Sequence, residues 1–244
     1  MGQMLVRLRK EGPAAFRALM TPENIKLLPA IHAFVKEVPE FEQQLPFKLD
    51  SLHTLIQATG MNAQGQPNAA LTTLLGTLSK QQTLSLDAME KPLKDYILAP
   101  EVAQNPQALE AVKIFVAGLD KNALSPSANA SLALLPQLTP KALVALSNMK
   151  ANGIADPFTI KDIVLVKGAD GKLGLTPAKA LEIVMNGNHR AFLRKAGADN
   201  LAVLANEFAP ATAGLVTGKN FAAAMDFAET VQNTNASNLN HQNN

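Results

Sequence analysis

Six times in this chain a helix-capping residue stands directly before a proline: Thr21-Pro22, Asn105-Pro106, Ser125-Pro126, Thr139-Pro140, Asp156-Pro157 and Thr176-Pro177. A proline fits the first helical position because the N–H it lacks would have no partner there. The side-chain oxygen before it can accept from the open amides of the first turn. Each pair therefore predicts a helix start, and Gln66-Pro67 is a weaker seventh. A chain punctuated in this way folds as many short helices packed on one another, not as one long coiled coil.

Apolar spacing supports these starts. Leu109, Val112, Phe115, Val116 and Leu119 fall on one arc of a 3.6-residue wheel, as do Ala142, Leu143, Leu146 and Met149, with Asn152-Gly153 as a stop. Phe221, Ala224, Met225, Ala228 and Val231 make a further stripe. Pro29, Pro92, Pro136 and Pro210 fall where a proline removes a backbone bond and crowds the turn before it, which predicts kinks or breaks there.

One stretch departs from helical grammar. The β-branched run at 163–166 is followed, after Asp170-Gly171, by Leu173-Gly174-Leu175. Asp-Gly between apolar runs is a hairpin signal, because both residues tolerate positive φ. The alternative is a helix from Pro157 to Val166 and then a loop. The expected fold is all-α, a compact multi-helical bundle or irregular stacked helix pairs, with a small β-hairpin near 163–175. The starts at 106, 126, 140, 157 and 177 are spaced 20, 14, 17 and 20 residues, too uneven for a regular solenoid but compatible with a degenerate helical array.

The expected organisation is a basic helical segment over 1–20, a multi-helical domain over 21–232 with a sub-division near 120–125, and a tail over 233–244. That tail is rich in asparagine and carries no Lys, Arg, Asp or Glu. It is expected to be disordered, since it has too little apolar surface to offset its ordering entropy.

Composition narrows the chemistry. Without cysteine the chain forms no disulfide and has no thiolate ligand or thiol nucleophile. A net charge of +2, from 22 basic and 20 acidic residues, gives little general attraction to phosphates, so no specific nucleic-acid binding is expected. One tyrosine and no tryptophan leave few rings for stacking on bases. No run reaches the ~18 apolar residues that a membrane-spanning helix needs, and charge interrupts the start of the chain before any signal-like stretch forms. The expected location is the cytoplasm; the alternative is translocation from a bacterial cytoplasm without a cleaved signal.

Several motifs resolve into simpler features. Gly214 to Lys219 has three residues between its glycines and Asn220 where a phosphate loop needs Ser or Thr, so it predicts a helix stop and restart. Asp170-Gly171 lacks the carboxylates of a calcium loop. Asp50 and His53, three apart, share a helix face, a spacing at which the two can meet a metal only with carboxylates from other helices. His32 lies with Ile25, Leu28 and Val35 at a core edge. No catalytic residue, metal ligand or cofactor site is nominated.

Two basic patches remain as candidate contacts. Arg190 and Arg194, four apart, with Lys195, could grip an anion or an acidic partner, although a solvated helix face has the same pattern. Arg7, Arg9, Lys10 and Arg17 against Glu11 give the first seventeen residues a net charge of +3. Arg7, Arg9 and Lys10 are the candidate N-terminal docking residues, for another subunit or, more weakly, an anionic surface.

The expected function is a non-catalytic helical scaffold or adaptor subunit acting through protein–protein contacts, with a bacterial secretion-type complex as one setting. Two alternatives stand beside it: a translocated effector or enzyme whose site is assembled from distant residues (Asp50, His53 and His189 being the first suspects), and a virion-associated structural protein.

Overall fold

Apolar stripes at helical spacing must be buried against neighbours, and the computed structural model shows how. It describes residues 2–19, 21–38, 42–80, 85–120, 122, 124–160, 166–167, 173–174, 182–208 and 217–242. The protein is all-α, and its chain divides into two units, Met1–Pro140 and Lys141–Asn244.

The first unit contains α1 (Gly2–Glu11), α2 (Pro13–Leu19), a 3-10 turn (Pro22–Leu27), α3 (Leu28–Glu37), α4 (Leu49–Thr59), α5 (Ala69–Lys80), α6 (Leu86–Ile97), α7 (Pro100–Ala103), α8 (Ala108–Ala117), α9 (Pro126–Leu132) and a second 3-10 turn (Leu135–Gln137). Its centre is the pairing of α4 with α8. Leu52, Leu55 and Ile56 of α4 and Val112 and Phe115 of α8 are all buried. The close approach at the end of α8 requires a glycine: a Cβ on Gly118 would stand 2.3 Å from Ser51 Oγ. Phe16, Phe47 and Phe115 form a chain of tilted rings with centroids 6.3 and 6.2 Å apart, joining α2 to α8.

Leu8, Ala15 and Phe16 are fully buried, so residues 1–20 belong to this core and are not an appended segment. The division expected near 120–125 falls instead after Pro140. The reason is packing across that stretch: the Leu135–Gln137 turn lies against α8, and Leu132, Leu134 and Leu135 are buried.

The second unit holds α10 (Pro140–Ala151), a 3-10 turn (Pro157–Thr159), β1 (Val166–Lys167), β2 (Leu173–Gly174), α11 (Gly187–Ala196), α12 (Ala198–Phe208) and α13 (Gly218–Gln242). α10 stops where Asn152-Gly153 predicts. Gly153 has φ 86°, and the Ile154 amide reaches back to the Met149 carbonyl at 3.1 Å, the closure that a left-handed residue permits. β1 and β2 pair antiparallel, Val166 with Gly174 and Lys167 with Leu173. Within the 163–175 stretch the described residues thus form a two-residue ladder, with Val166 in a strand, and the rest of that stretch, the Asp170-Gly171 turn included, lies outside the described residues.

Capping follows the sequence at several starts. Asp156 accepts from the Phe158 amide at 3.1 Å and Ser125 from the Ala128 amide at 3.2 Å. Thr176-Pro177, Pro210 and the glycine at 214 lie outside the described residues. The expected breaks at other prolines differ. Pro29 sits in the first turn of α3 and Pro92 inside a continuous α6, while Pro136 lies in a 3-10 turn. α6 survives its proline because Leu86, Met89, Leu93 and Tyr96 bury an apolar face on either side of it, so tertiary packing outweighs the local penalty.

α13 docks on α12 through Phe221, Met225 and Ala228, whereas Ala224 of the predicted stripe is exposed. The helix continues through Gln242, where composition predicts disorder from residue 233. A docked first half supplies the costly nucleus, and each further residue then adds one backbone bond.

Candidate functional site: a groove between two helices

α5 and α6 pack against each other and leave between them a half-open groove of about 490 Å³. One wall comes from α5, whose small residues recur at helical spacing: Ala69, Ala70, Thr73 and Thr77. The Thr73 hydroxyl donates to the Ala69 carbonyl and the Thr77 hydroxyl to the Thr73 carbonyl, both at 2.9 Å. With their oxygens committed to the helix, these threonines can offer methyl groups to an occupant. The opposite wall is Pro92 and Tyr96 of α6, and Leu74 is buried beneath.

Charge is confined to the edges. Lys91 and Asp95 pair at 2.6 Å on the α6 side. At the other end the Glu101 carboxylate accepts from the Ala70 amide at 3.0 Å, an anion on the first turn of α5. Below the groove the Tyr96 hydroxyl shares a 2.6 Å hydrogen bond with the Thr59 hydroxyl, which also lies 2.6 Å from the Leu55 carbonyl. Burial pushes the Tyr96 phenol up to about 12.

Two asparagines tie neighbouring helix ends together. Asn68 donates to the Thr59 carbonyl at 2.7 Å and Asn105 to the Ala58 carbonyl at 2.8 Å, closing the C-terminal end of α4. The same residues accept from the Leu71 amide at 2.8 Å and the Gln107 amide at 2.9 Å, near the starts of α5 and α8. Each asparagine therefore satisfies the end of one helix and the beginning of another.

A polar cluster lies at the contact of α3 with α4. His32 Nε2 is hydrogen-bonded to Asp50 Oδ1, and Lys36 Nζ is 3.7 Å from the same oxygen. The His53 ring stacks on His32 with centroids 4.8 Å apart and planes 10° off parallel. Asp50 is thus joined to a histidine across the helix contact rather than to His53 on its own helix. The hydrogen bond from His32, aided by Lys36, holds the Asp50 carboxyl below its ordinary value. Burial, with the charges of His32 and Lys36 against that of Asp50, holds His53 below its own. Among the described residues no group of three or more His, Cys, Asp or Glu could hold a metal.

The two basic patches fare differently. Arg190 is buried, donating to the Val184 carbonyl at 2.8 Å and to Gln232 Oε1. It shares the inner face of α11 with Leu193 and Ala196, so it is not the surface contact its spacing with Arg194 suggests. Arg194 holds Asp226 at 2.8 Å and Glu229 at 2.5 Å of α13, and those partners raise its pKa. Lys195 is exposed, its chain passing over Gly153. In α1, Arg7 pairs with Glu11 at 2.9 Å, while Arg9 and Lys10 are exposed in the last turn. His189 is half-buried on α11, with Nδ1 enclosed and unpartnered.

Of the groove's residues only Pro92 was singled out from the sequence, and as a helix break rather than as part of a site. Its signal was the spacing of small residues at 69, 70, 73 and 77, which resembles any alanine-rich helix until the partner helix is known. No described helix is long and apolar enough to cross a membrane. Comparison with family models, with curated proteins and with solved structures finds no match to this chain.

Proposed function

We propose that the protein is a non-catalytic helical adaptor, which holds a helix or extended segment of a partner protein in the α5–α6 groove. The observation that carries this reading is the groove itself: small side chains along one wall, a proline and tyrosine on the other, and charge only at the rim. Such a shape accepts an apolar anchor, with polar groups at the edge to set orientation. Arg9 and Lys10, exposed at the end of α1, are secondary docking contacts in this reading.

The test is site-specific photo-crosslinking from Thr77 in the native source, alongside the variant Thr73→Arg. Thr73 is exposed and its hydroxyl bonds only within α5, so the variant is expected to fold. A crosslinked protein that disappears in Thr73→Arg supports the groove. Crosslinking unchanged by the variant contradicts it.

A second reading, an enzyme, is favoured by the pairing of His32 with Asp50, since a carboxylate on an imidazole orients a general base. Asp50→Asn would then abolish an activity while leaving capture through the groove intact.

A further inference from the structure

We propose that the contact between α3 and α4 is an acid-sensitive joint, in which a proton added to His53 weakens the packing of the two helices. The geometry of His53 carries this. Its Nε2 is enclosed without a hydrogen-bond partner, and its ring lies flat on His32 at 4.8 Å. A neutral imidazole tolerates this position because only one of its nitrogens bears a hydrogen. The protonated ring has an N–H at both. The neutral ring can keep its hydrogen on Nδ1 and leave the enclosed Nε2 bare, whereas acid puts an N–H at Nε2 with no acceptor, and the desolvation penalty falls on it.

Of the charges around the ring, those on α3 act in the same direction and Asp50 acts against them. Those bearing on His53 are His32 and Lys36 of α3 and Asp50 of its own helix; α8, which also packs on α4, adds none. Asp50 is already shared between His32 and Lys36. A protonated His53 would join Lys36 beside a single carboxylate that His32 already engages, with its ring stacked on that of His32. The depressed proton affinity of His53 in the fold agrees with this.

The sign follows by linkage. A histidine that resists its proton in the fold but takes it freely at about 6.5 when unfolded contributes stability above that pH. The contribution begins to be lost as the pH falls past 6.5 and is gone once it has fallen through the lower value that His53 has in the fold. Asp50 acts in a lower window: its depressed carboxyl stabilises the fold above 3.8 and ceases to do so in stronger acid.

The test is the thermal midpoint of the full chain between pH 8 and pH 5, for wild type, His53→Phe and His53→Gln. Phenylalanine keeps a ring on His32 and glutamine keeps a polar group, and neither titrates. The wild-type midpoint should drop below pH 6.5, and both variants should lose less of it. Equal drops in all three would overturn the proposal. A measurement on the wild type alone guards against variants that fail to fold. In an NMR titration His53 should hold its neutral form below pH 6.5, and α3 amides should lose hydrogen-exchange protection as His53 takes up its proton. A His53 that titrates at or above 6.5, or α3 protection unchanged through its titration, would overturn it equally.

Discussion

In the first unit, the end of α4 is closed by two half-buried asparagine amides and, beneath apolar helices, by the buried Tyr96–Thr59 hydroxyl pair. In the second, α13 is fastened to α11 by two arginines. Arg190 works from inside with Gln232, which itself donates to the Met185 carbonyl at 2.9 Å, while Arg194 works at the surface with two carboxylates. The difference lies in what each joint costs to open. Neutral groups closed off from water lose hydrogen bonds that solvent cannot readily replace. A surface ion pair exchanges its partner for water and salt at little cost. The first unit is thereby built as a stiff frame for its groove, and α13 as a helix held partly by charge.

The largest effect should come from the frame's apolar centre. Phe115→Ala, at a site 1 % exposed, should cost about 3–5 kcal/mol in urea unfolding, because it opens a cavity where α8 meets α4. Removing residues 1–17 takes Leu8 and Phe16 out of the same core, so the truncated chain should lose stability rather than merely a docking arm.

Arg190→Ala should follow, at about 1–3 kcal/mol, since it removes the Arg190 donor from the buried Val184 carbonyl and from Gln232 Oε1. Added salt should hardly change this loss. If it did, the inside-versus-surface distinction within the α13 joint would fail.

Tyr96→Phe should cost about 1 kcal/mol, the worth of one buried hydrogen bond. Tyr96 is the only tyrosine, so its ultraviolet titration can be read directly. The phenol should stay protonated past pH 10 and ionise near 12. Its stabilising share is then complete below pH 10 and gone once the pH has risen through about 12.

The smallest effect belongs to Arg194→Ala. With that side chain 42 % exposed, the loss should stay below about 1 kcal/mol and shrink further in high salt. A larger, salt-independent loss would mean that both arginines anchor α13 in the same way.

The sequence made the helices legible and left their partners hidden. Ser125 and Asp156 announce their helix starts because capping is local chemistry between near neighbours. The stripe from Leu109 to Leu119 announced a buried face for the same reason, as side chains three and four apart share a side. Pro92 misled because the penalty of a proline is local while the apolar packing that overrides it is not. Asp50 misled similarly: three residues from His53 in sequence, it bonds to His32 eighteen positions away. Arg190 looked like a surface charge beside Arg194 because nothing in its own helix shows that Val184 and Gln232 await it. The groove was least legible of all, since alanine and threonine carry no signature until two helices bring their small faces together.

The most direct measurement is calorimetry of the segment recovered by crosslinking from Thr77, titrated into purified wild type and Thr73→Arg at several temperatures. Binding to the wild type with a negative heat-capacity change, lost in Thr73→Arg, is the predicted result, because an apolar anchor is withdrawn from water in the groove. Equal affinity for both proteins would contradict it and place the partner's contact elsewhere on the chain.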